Sequence, residues 1–266
     1  MFLIIGELIN STRKRVGQAI QDHDEEHIRD LARRQAAAKA GAIDLNAGQS
    51  MAREFDDLCW LIELVEDELG PDVRLAIDTS DPDVMAKAID KCSSSPIINS
   101  ISNEPAKEPL IRVAAACGCD VIGLAMGEQG MPRTGENRFS ETVALVEKCS
   151  AAGVDQDRLY VDLVCMSVAS SPEQGCELLS AVRKVNDELG VKTLAAVSNV
   201  SFGLPNRRLL NRTFLSLLLE AGLAAAILDP TDPGTSDVLC AARALLGSDE
   251  YCMEYIQNHR AGEKKP

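Results

Sequence analysis

Eight short apolar runs, each followed by a stretch with helical spacing, recur along the chain and limit its fold more than any other feature. The runs cover residues 2–5, 43–45, 73–77, 97–98, 121–124, 159–164, 194–197 and 225–228. Between them lie alanine-rich or charge-rich stretches such as 25–39, 55–69, 82–92, 139–152, 172–189 and 207–221. Several of these open on Asp, Ser or Pro and close near Gly, as helix caps require. Gly41, Gly70, Gly118, Gly153, Gly190 and Gly222 each stand just before the next apolar run. Such alternation predicts parallel β/α units, and eight of them close into a barrel. No G-x-G-x-x-G follows the first run, which argues against an open dinucleotide-binding sheet. The expectation is an α/β chain of one domain over residues 1–266, with a (β/α)8 TIM barrel over about 1–247. The tail after Ser248 reads as short and frayed at Gly262-Glu263-Lys264-Lys265-Pro266.

Composition narrows the partners. Hydrophobic residues make up 45% of the 266 but aromatics only 3%, so small aliphatic side chains must fill the core. The formal net charge of −14 repels phosphate backbones and anionic lipid heads, so neither nucleic acid nor membrane is expected as a partner. The N-terminal Met1-Phe2-Leu3-Ile4-Ile5-Gly6 lacks a basic segment and is too short in its apolar run for a signal peptide, and no stretch is apolar enough to span a bilayer. The nine cysteines include no C-x-x-C pair, and Cys117 and Cys119 form only a C-x-C. Together these predict a cytoplasmic protein with reduced thiols.

In a barrel the chemistry sits where strands end. Those positions read Glu7 and Asn10, then Asp44 and Asn46, then Asp78, Asn99, Asp162, Asn199 and Asp229. One polar residue after a strand is often a helix cap; a ring of them around one mouth points to a site. The ring holds no His and no Lys, and His23, His27 and His259 fall elsewhere. A histidine base, a histidine zinc site and a Ser-His-Asp triad are therefore not expected, and no metal is. The loops Phe202-Gly203-Leu204-Pro205-Asn206 and Pro230-Thr231-Asp232-Pro233-Gly234 match a phosphate loop poorly. After the seventh run, Ser198-Asn199-Val200-Ser201 offers donors and acceptors but no nucleophile or strong base. A flat heterocycle with an amino-pyrimidinone edge suits such a set, since one carboxylate accepts two adjacent N–H donors.

The motifs at these strand ends resemble those of methyltetrahydrofolate:corrinoid-protein methyltransferases, pterin-binding barrels related to the folate module of cobalamin-dependent methionine synthase. They are Ile4-Ile5-Gly6-Glu7-Leu8-Ile9-Asn10, Ala42-Ile43-Asp44-Leu45-Asn46-Ala47-Gly48, Ile77-Asp78-Thr79-Ser80, Ile97-Ile98-Asn99-Ser100, Tyr160-Val161-Asp162, the Ser198 segment through Phe202, and residues 206–215. Their joint order covers nearly the whole chain. The resemblance implies that Asp78, Asn99 and Asp162 hydrogen-bond the pterin edge and that Asn199 reaches N5, the nitrogen that carries or receives the methyl group. It also implies that Gly48 and Ser198 let the flat ring approach, with Arg207 near the benzoyl-glutamate part. Glu7, Asn10, Asp44 and Asn46 complete the implied folate-binding set.

The implied substrates are tetrahydrofolate or 5-methyltetrahydrofolate and a corrinoid. The chain carries no cobalt-binding Asp-x-His-x-x-Gly, so the corrinoid belongs to a separate protein docking at the barrel mouth, and family habit implies a homodimer. Phe202 and the loop from Met126 to Pro132 depart from the enzymes that use a corrinoid iron–sulfur protein. They favour a catabolic demethylation system, for betaine, a methylamine or an aryl ether, with acetogenic methyl transfer as the alternative. Dihydropteroate synthase is a remoter reading, because the chain has no Lys after the seventh run and Asn10-Ser11-Thr12-Arg13-Lys14-Arg15 after the first. A non-catalytic folate-binding protein is a third.

Overall fold

The computed structural model describes residues 2–263. Its elements in chain order are β1 (Leu3–Asn10), α1 (Lys14–Asp22), α2 (Glu25–Ala37), β2 (Ala42–Asn46), α3 (Glu54–Leu69), β3 (Leu75–Asp78), α4 (Pro82–Ile89) and β4 (Ile97–Ser102). They continue with α5 (Glu108–Cys117), β5 (Asp120–Leu124), α6 (Gly135–Ala152), β6 (Leu159–Asp162), α7 (Gln174–Glu188), β7 (Lys192–Ala196), α8 (Arg207–Glu220), β8 (Ala225–Leu228), α9 (Pro233–Leu245) and α10 (Met253–Glu263). The strands run parallel in the order β1 to β8, and β8 pairs back onto β1 from Leu3↔Ala225 to Gly6↔Leu228. This is the expected (β/α)8 barrel. None of its helices is long and apolar enough to cross a membrane, among the described residues.

Two apolar cores share the strands. The larger lies between strands and helices and includes Ile43, Leu45, Leu61, Ile77, Ile98, Val161 and Leu218. The smaller fills the barrel with Leu3, Ile5, Ala42, Ala76, Ile97, Ile122, Tyr160, Leu194, Ala225 and Ile227. Side chains alternate along a strand, so the residue two places on from each of these stays inside the barrel. That next layer reads Glu7, Asp44, Asp78, Asn99, Leu124, Asp162, Ala196 and Asp229. The apolar plug thus floors a polar bowl.

The structure extends β1 well past residue 5, so Glu7 and Asn10 lie on the strand rather than after it. Its pairing with β2 shifts register between Gly6 and Ile9. The side chain of the fully buried Gln35 enters this bulge from α2 and accepts the Leu8 N–H at 3.0 Å. A Cβ on Gly6 would run into that amide, so the bulge depends on glycine there. Helix α10 forms against α9, and residues 264–266, which end the stretch expected to fray, lie outside the described residues. The Cys117 and Cys119 sulfurs meet across the turn between α5 and β5, and the other seven cysteines are free.

Candidate functional site

Strand register brings the first group of predicted residues into one row. Asn10 lies beside Asn46, Asn46 beside Asp78, and Asp78 beside Asn99. Two of these amides grip carboxylates. Asn46 Nδ2 donates to Asp78 Oδ2 at 3.0 Å, and Asn99 Nδ2 donates to Asp44 Oδ1 at 2.9 Å. The amide oxygen of Asn46 accepts the Ser11 hydroxyl at 2.7 Å, which fixes how the amide faces. The second oxygen of each carboxylate receives no hydrogen bond from the described residues. Burial raises the Asp44 carboxyl well above the usual carboxylate range, and the Asp78 charge raises it further. Asp78 is raised too, by burial and then by Glu54, against the pull of the Asn46 hydrogen bond. Two desolvated acids whose charges raise one another favour holding a proton at neutral pH more than free carboxylates do. The Asn99–Ser100 peptide at the end of this row is cis.

Asn10 turns away from the group. Its Oδ1 accepts the Thr12 N–H at 3.0 Å and the Thr12 hydroxyl at 2.6 Å, so it closes the turn before α1. Asp229 does the same for Thr231, and it also lines a cavity.

Two cavities take up the remaining residues. The smaller, about 370 Å³, brings Asp162 and Asn199 together with Met126, Met131, Cys165 and Phe202. Asn199 lies on the single 3-10 turn after β7, is exposed, and makes no side-chain hydrogen bond among the described residues. Asp162 ends β6, is buried, and accepts the Val164 N–H at 2.8 Å. Burial pushes its carboxyl up to about 6, while that N–H and the Arg138 charge pull the other way.

The larger cavity, about 620 Å³, holds Glu7, Ser198 and Arg207, with Arg13, Asp229 and Asp232. Glu7 receives Arg13 at 3.0 Å and the Ser198 hydroxyl at 3.1 Å. Its carboxyl is nonetheless raised, because burial outweighs both. Arg207, the first residue of α8, donates to Ser198 O at 2.7 Å and Ser201 Oγ at 3.1 Å, and lies 5.9 Å from the Phe202 ring centre. It braces the loop that carries Asn199. Phe202 lines both cavities, whereas Asp44, Asn46, Asp78 and Asn99 line neither. Gly48, in the exposed loop after β2, would meet only Glu54 Oε1 at 3.6 Å and the Asn46 amide if it bore a Cβ.

The sequence reading missed Arg13, whose only signal was a basic run after the first strand, and Arg138. Arg138 lies in the first turn of α6, where nothing in the sequence marks it as buried. The arrangement as a whole is a bowl of carboxylates, several protonated more readily than usual, with one free amide at its edge. It can hold a neutral, donor-rich ring. Among the described residues no group of His, Cys, Asp and Glu is placed to hold a metal.

Comparison with known proteins agrees with this geometry. The family of pterin binding enzymes matches residues 6–229, from β1 to the end of the eighth strand. A methylcorrinoid:tetrahydrofolate methyltransferase of Eubacterium limosum is 28% identical over 270 aligned residues, covering 99% of this chain and 98% of that protein. A methionine synthase of Mycobacterium leprae is 27% identical over 243 residues, covering 85% of this chain but only 20% of that longer protein. The structure of a dihydropteroate synthase from Xanthomonas albilineans in complex with 7,8-dihydropteroate superposes with a TM-score of 0.68 at 20% identity, covering 92% and 93% of the two chains, and shares the fold. With a match that runs round the whole barrel, the chain belongs to the pterin-binding enzyme family.

Proposed function

We propose that this chain is a methyltransferase that takes a methyl group from the cobalt of a corrinoid held by a separate protein and places it on N5 of tetrahydrofolate. The observation that carries this is the meeting of Asp162 and the unpaired Asn199 amide in one cavity. The full-length similarity to the Eubacterium limosum methyltransferase supports it. In the transfer the Co–C bond breaks with both electrons left on cobalt, the N5–C bond forms, and N5 gives up its proton to solvent.

The chain's own part is binding and aim. Asp78, Asn99 and Asp162 hold the pterin edge, with Asp44 and Asn46 fixing Asn99 and Asp78 from behind. Asn199 Oδ1 accepts the N5 hydrogen and so turns the N5 lone pair toward the mouth. In the reverse direction Asn199 Nδ2 donates to N5 and offsets the charge that develops there. Glu7, Ser198 and Arg207 shape the larger cavity for the benzoyl-glutamate part, and Asn10 holds the rim. Phe202, 70% exposed, and Met131, 57% exposed, give the mouth an apolar lip suited to a corrinoid protein. That lip favours the catabolic systems that demethylate betaine, a methylamine or an aryl ether.

Anaerobic mixing of the protein with methylcobalamin and tetrahydrofolate tests the reaction. A cob(I)alamin spectrum that grows only with both protein and folate is the expected result. A native protein that binds no tetrahydrofolate by calorimetry refutes it. A second check is steric. Gly48→Ala is expected to leave the Tm unchanged, since its Cβ makes only ordinary contacts, yet to weaken tetrahydrofolate binding roughly tenfold, about 1.4 kcal/mol. Unaltered affinity would remove Gly48 from the site.

A further inference from the structure

We infer that Arg138 is a positioning residue for the pterin pocket: from beneath the turn after β6, its guanidinium fixes the backbone that aims the Asp162 carboxylate. That Asp162 meets the pterin rests on the reading above; that Arg138 sets Asp162 does not.

Arg138, on α6, is the largest fully buried side chain of the protein. A guanidinium removed from water is costly unless its donors are met. Its partners here are neutral. Nε donates to Leu163 O at 2.7 Å, and Nη2 donates to Val164 O at 3.0 Å and to Gln174 Oε1 at 2.8 Å. Gln174 is itself tied through Nε2 to Arg133 O at 2.8 Å. Arg138 makes no ion pair among the described residues, and its Nη1 is buried without a partner. An apolar side chain would fill this space with no such cost. What the fork adds is a grip on two successive carbonyls.

The turn it grips is strained. Val164 has φ 56°, in the left-handed region that a β-branched residue avoids. The Leu163 carbonyl that Nε holds and the Val164 N–H that meets Asp162 Oδ1 are the two ends of one planar peptide unit. Released from the fork, that unit is free to turn as the loop relaxes, and its N–H would leave the carboxylate. Arg138 thus acts on Asp162 twice, through this N–H and through its charge. The other groups around them are few. Cys165, in the same loop, has its thiol pushed up to about 12 by burial and stays neutral. Glu177, from α7, faces Arg138. β5 and β7 set Leu124 and Leu194 beside Asp162 in register.

The test needs no ligand at first. Carboxyl 13C NMR of the free protein, with Asp162→Asn to identify the signal, follows the Asp162 titration. Arg138→Met is expected to move its midpoint upward by about one pH unit. Arg138→Lys keeps the charge but not the fork, and is expected to restore the midpoint in part. By calorimetry at pH 7, both variants are expected to bind tetrahydrofolate at least roughly tenfold more weakly. An unmoved midpoint in Arg138→Met, with only a lower Tm, would overturn the inference. Full recovery of midpoint and affinity in Arg138→Lys would overturn the fork. If Arg138→Met does not fold, Gln174→Met loosens the same fork, and an unmoved midpoint there counts against it equally. Should the native chain bind no tetrahydrofolate, the pterin reading falls while the midpoint shift still decides what Arg138 does.

Discussion

Asn199→Ala is expected to slow single-turnover methyl transfer by about 10²-fold while changing the tetrahydrofolate Kd by less than about threefold. The split follows from where Asn199 stands. Its side chain is exposed and has no hydrogen bond among the described residues, so removal breaks nothing in the fold. It shares a cavity with Asp162, so in the proposed complex it faces the ring that Asp162 would hold. A ring gripped along its edge by three other polar groups keeps most of its affinity without one more amide. The reacting nitrogen does not keep its aim. N5 must present its lone pair along the line to cobalt, and losing one pre-aimed partner at a reacting centre commonly costs about 3 kcal/mol in the transition state. Rapid mixing with a methylated corrinoid, set beside calorimetry, separates the two quantities. A loss confined to Kd would make Asn199 a binding residue, and equal losses in neither would remove it from the site.

The barrel and most of its polar ring were legible because a polar residue stands in or just after most of the short apolar runs. Asp78 and Asn99 follow their runs directly, and Asp44 and Asp162 interrupt theirs. The end of β1 was not legible, because Gly6, Glu7 and Asn10 are poor strand formers in isolation. Pairing with β2 and β8 holds them extended all the same, with Gln35 supplying the hydrogen bond that the bulge lacks. Helix α1 gave no start signal: Arg13 precedes it and caps nothing with its side chain. Nor did the sequence separate Asn10, spent on a turn, from Asn199, left free. That difference lies in the partners each side chain finds, and a linear pattern does not record partners. Arg138 shows the same limit from the other side, since an arginine in the first turn of a helix reads as solvent-facing until the turn after β6 is folded over it.

Asp162→Asn is expected to make the protein more stable at pH 7 and to weaken tetrahydrofolate binding by about 10²-fold. The Asp162 carboxyl, pushed up to about 6 in the folded chain by burial, has an ordinary value of about 4 when unfolded. The folded state therefore binds the proton more tightly, and stability falls as pH rises from about 4 through about 6. Above that window the buried charge costs on the order of 3 kcal/mol. Asparagine carries no charge and keeps an oxygen for the Val164 N–H, so it recovers most of this, and the Tm is expected to rise by roughly 5 °C at pH 7. At pH 4, where Asp162 is already protonated in the fold, native and variant chains should melt together. Binding moves the other way. In the proposed complex the carboxylate accepts two N–H donors from one ring edge, and the amide would put a donor where one acceptor was, a loss of about 1.5–3 kcal/mol for a charge-assisted contact. Thermal melts from pH 4 to 8, paired with calorimetry, test both halves. A variant less stable than the native chain at pH 7 would mean that the Asp162 charge supports the fold; a gain in stability with intact binding would mean that Asp162 does not touch the pterin. The pairing of higher stability with lost affinity is the mark of a charge kept at a cost to the fold for the ligand it meets.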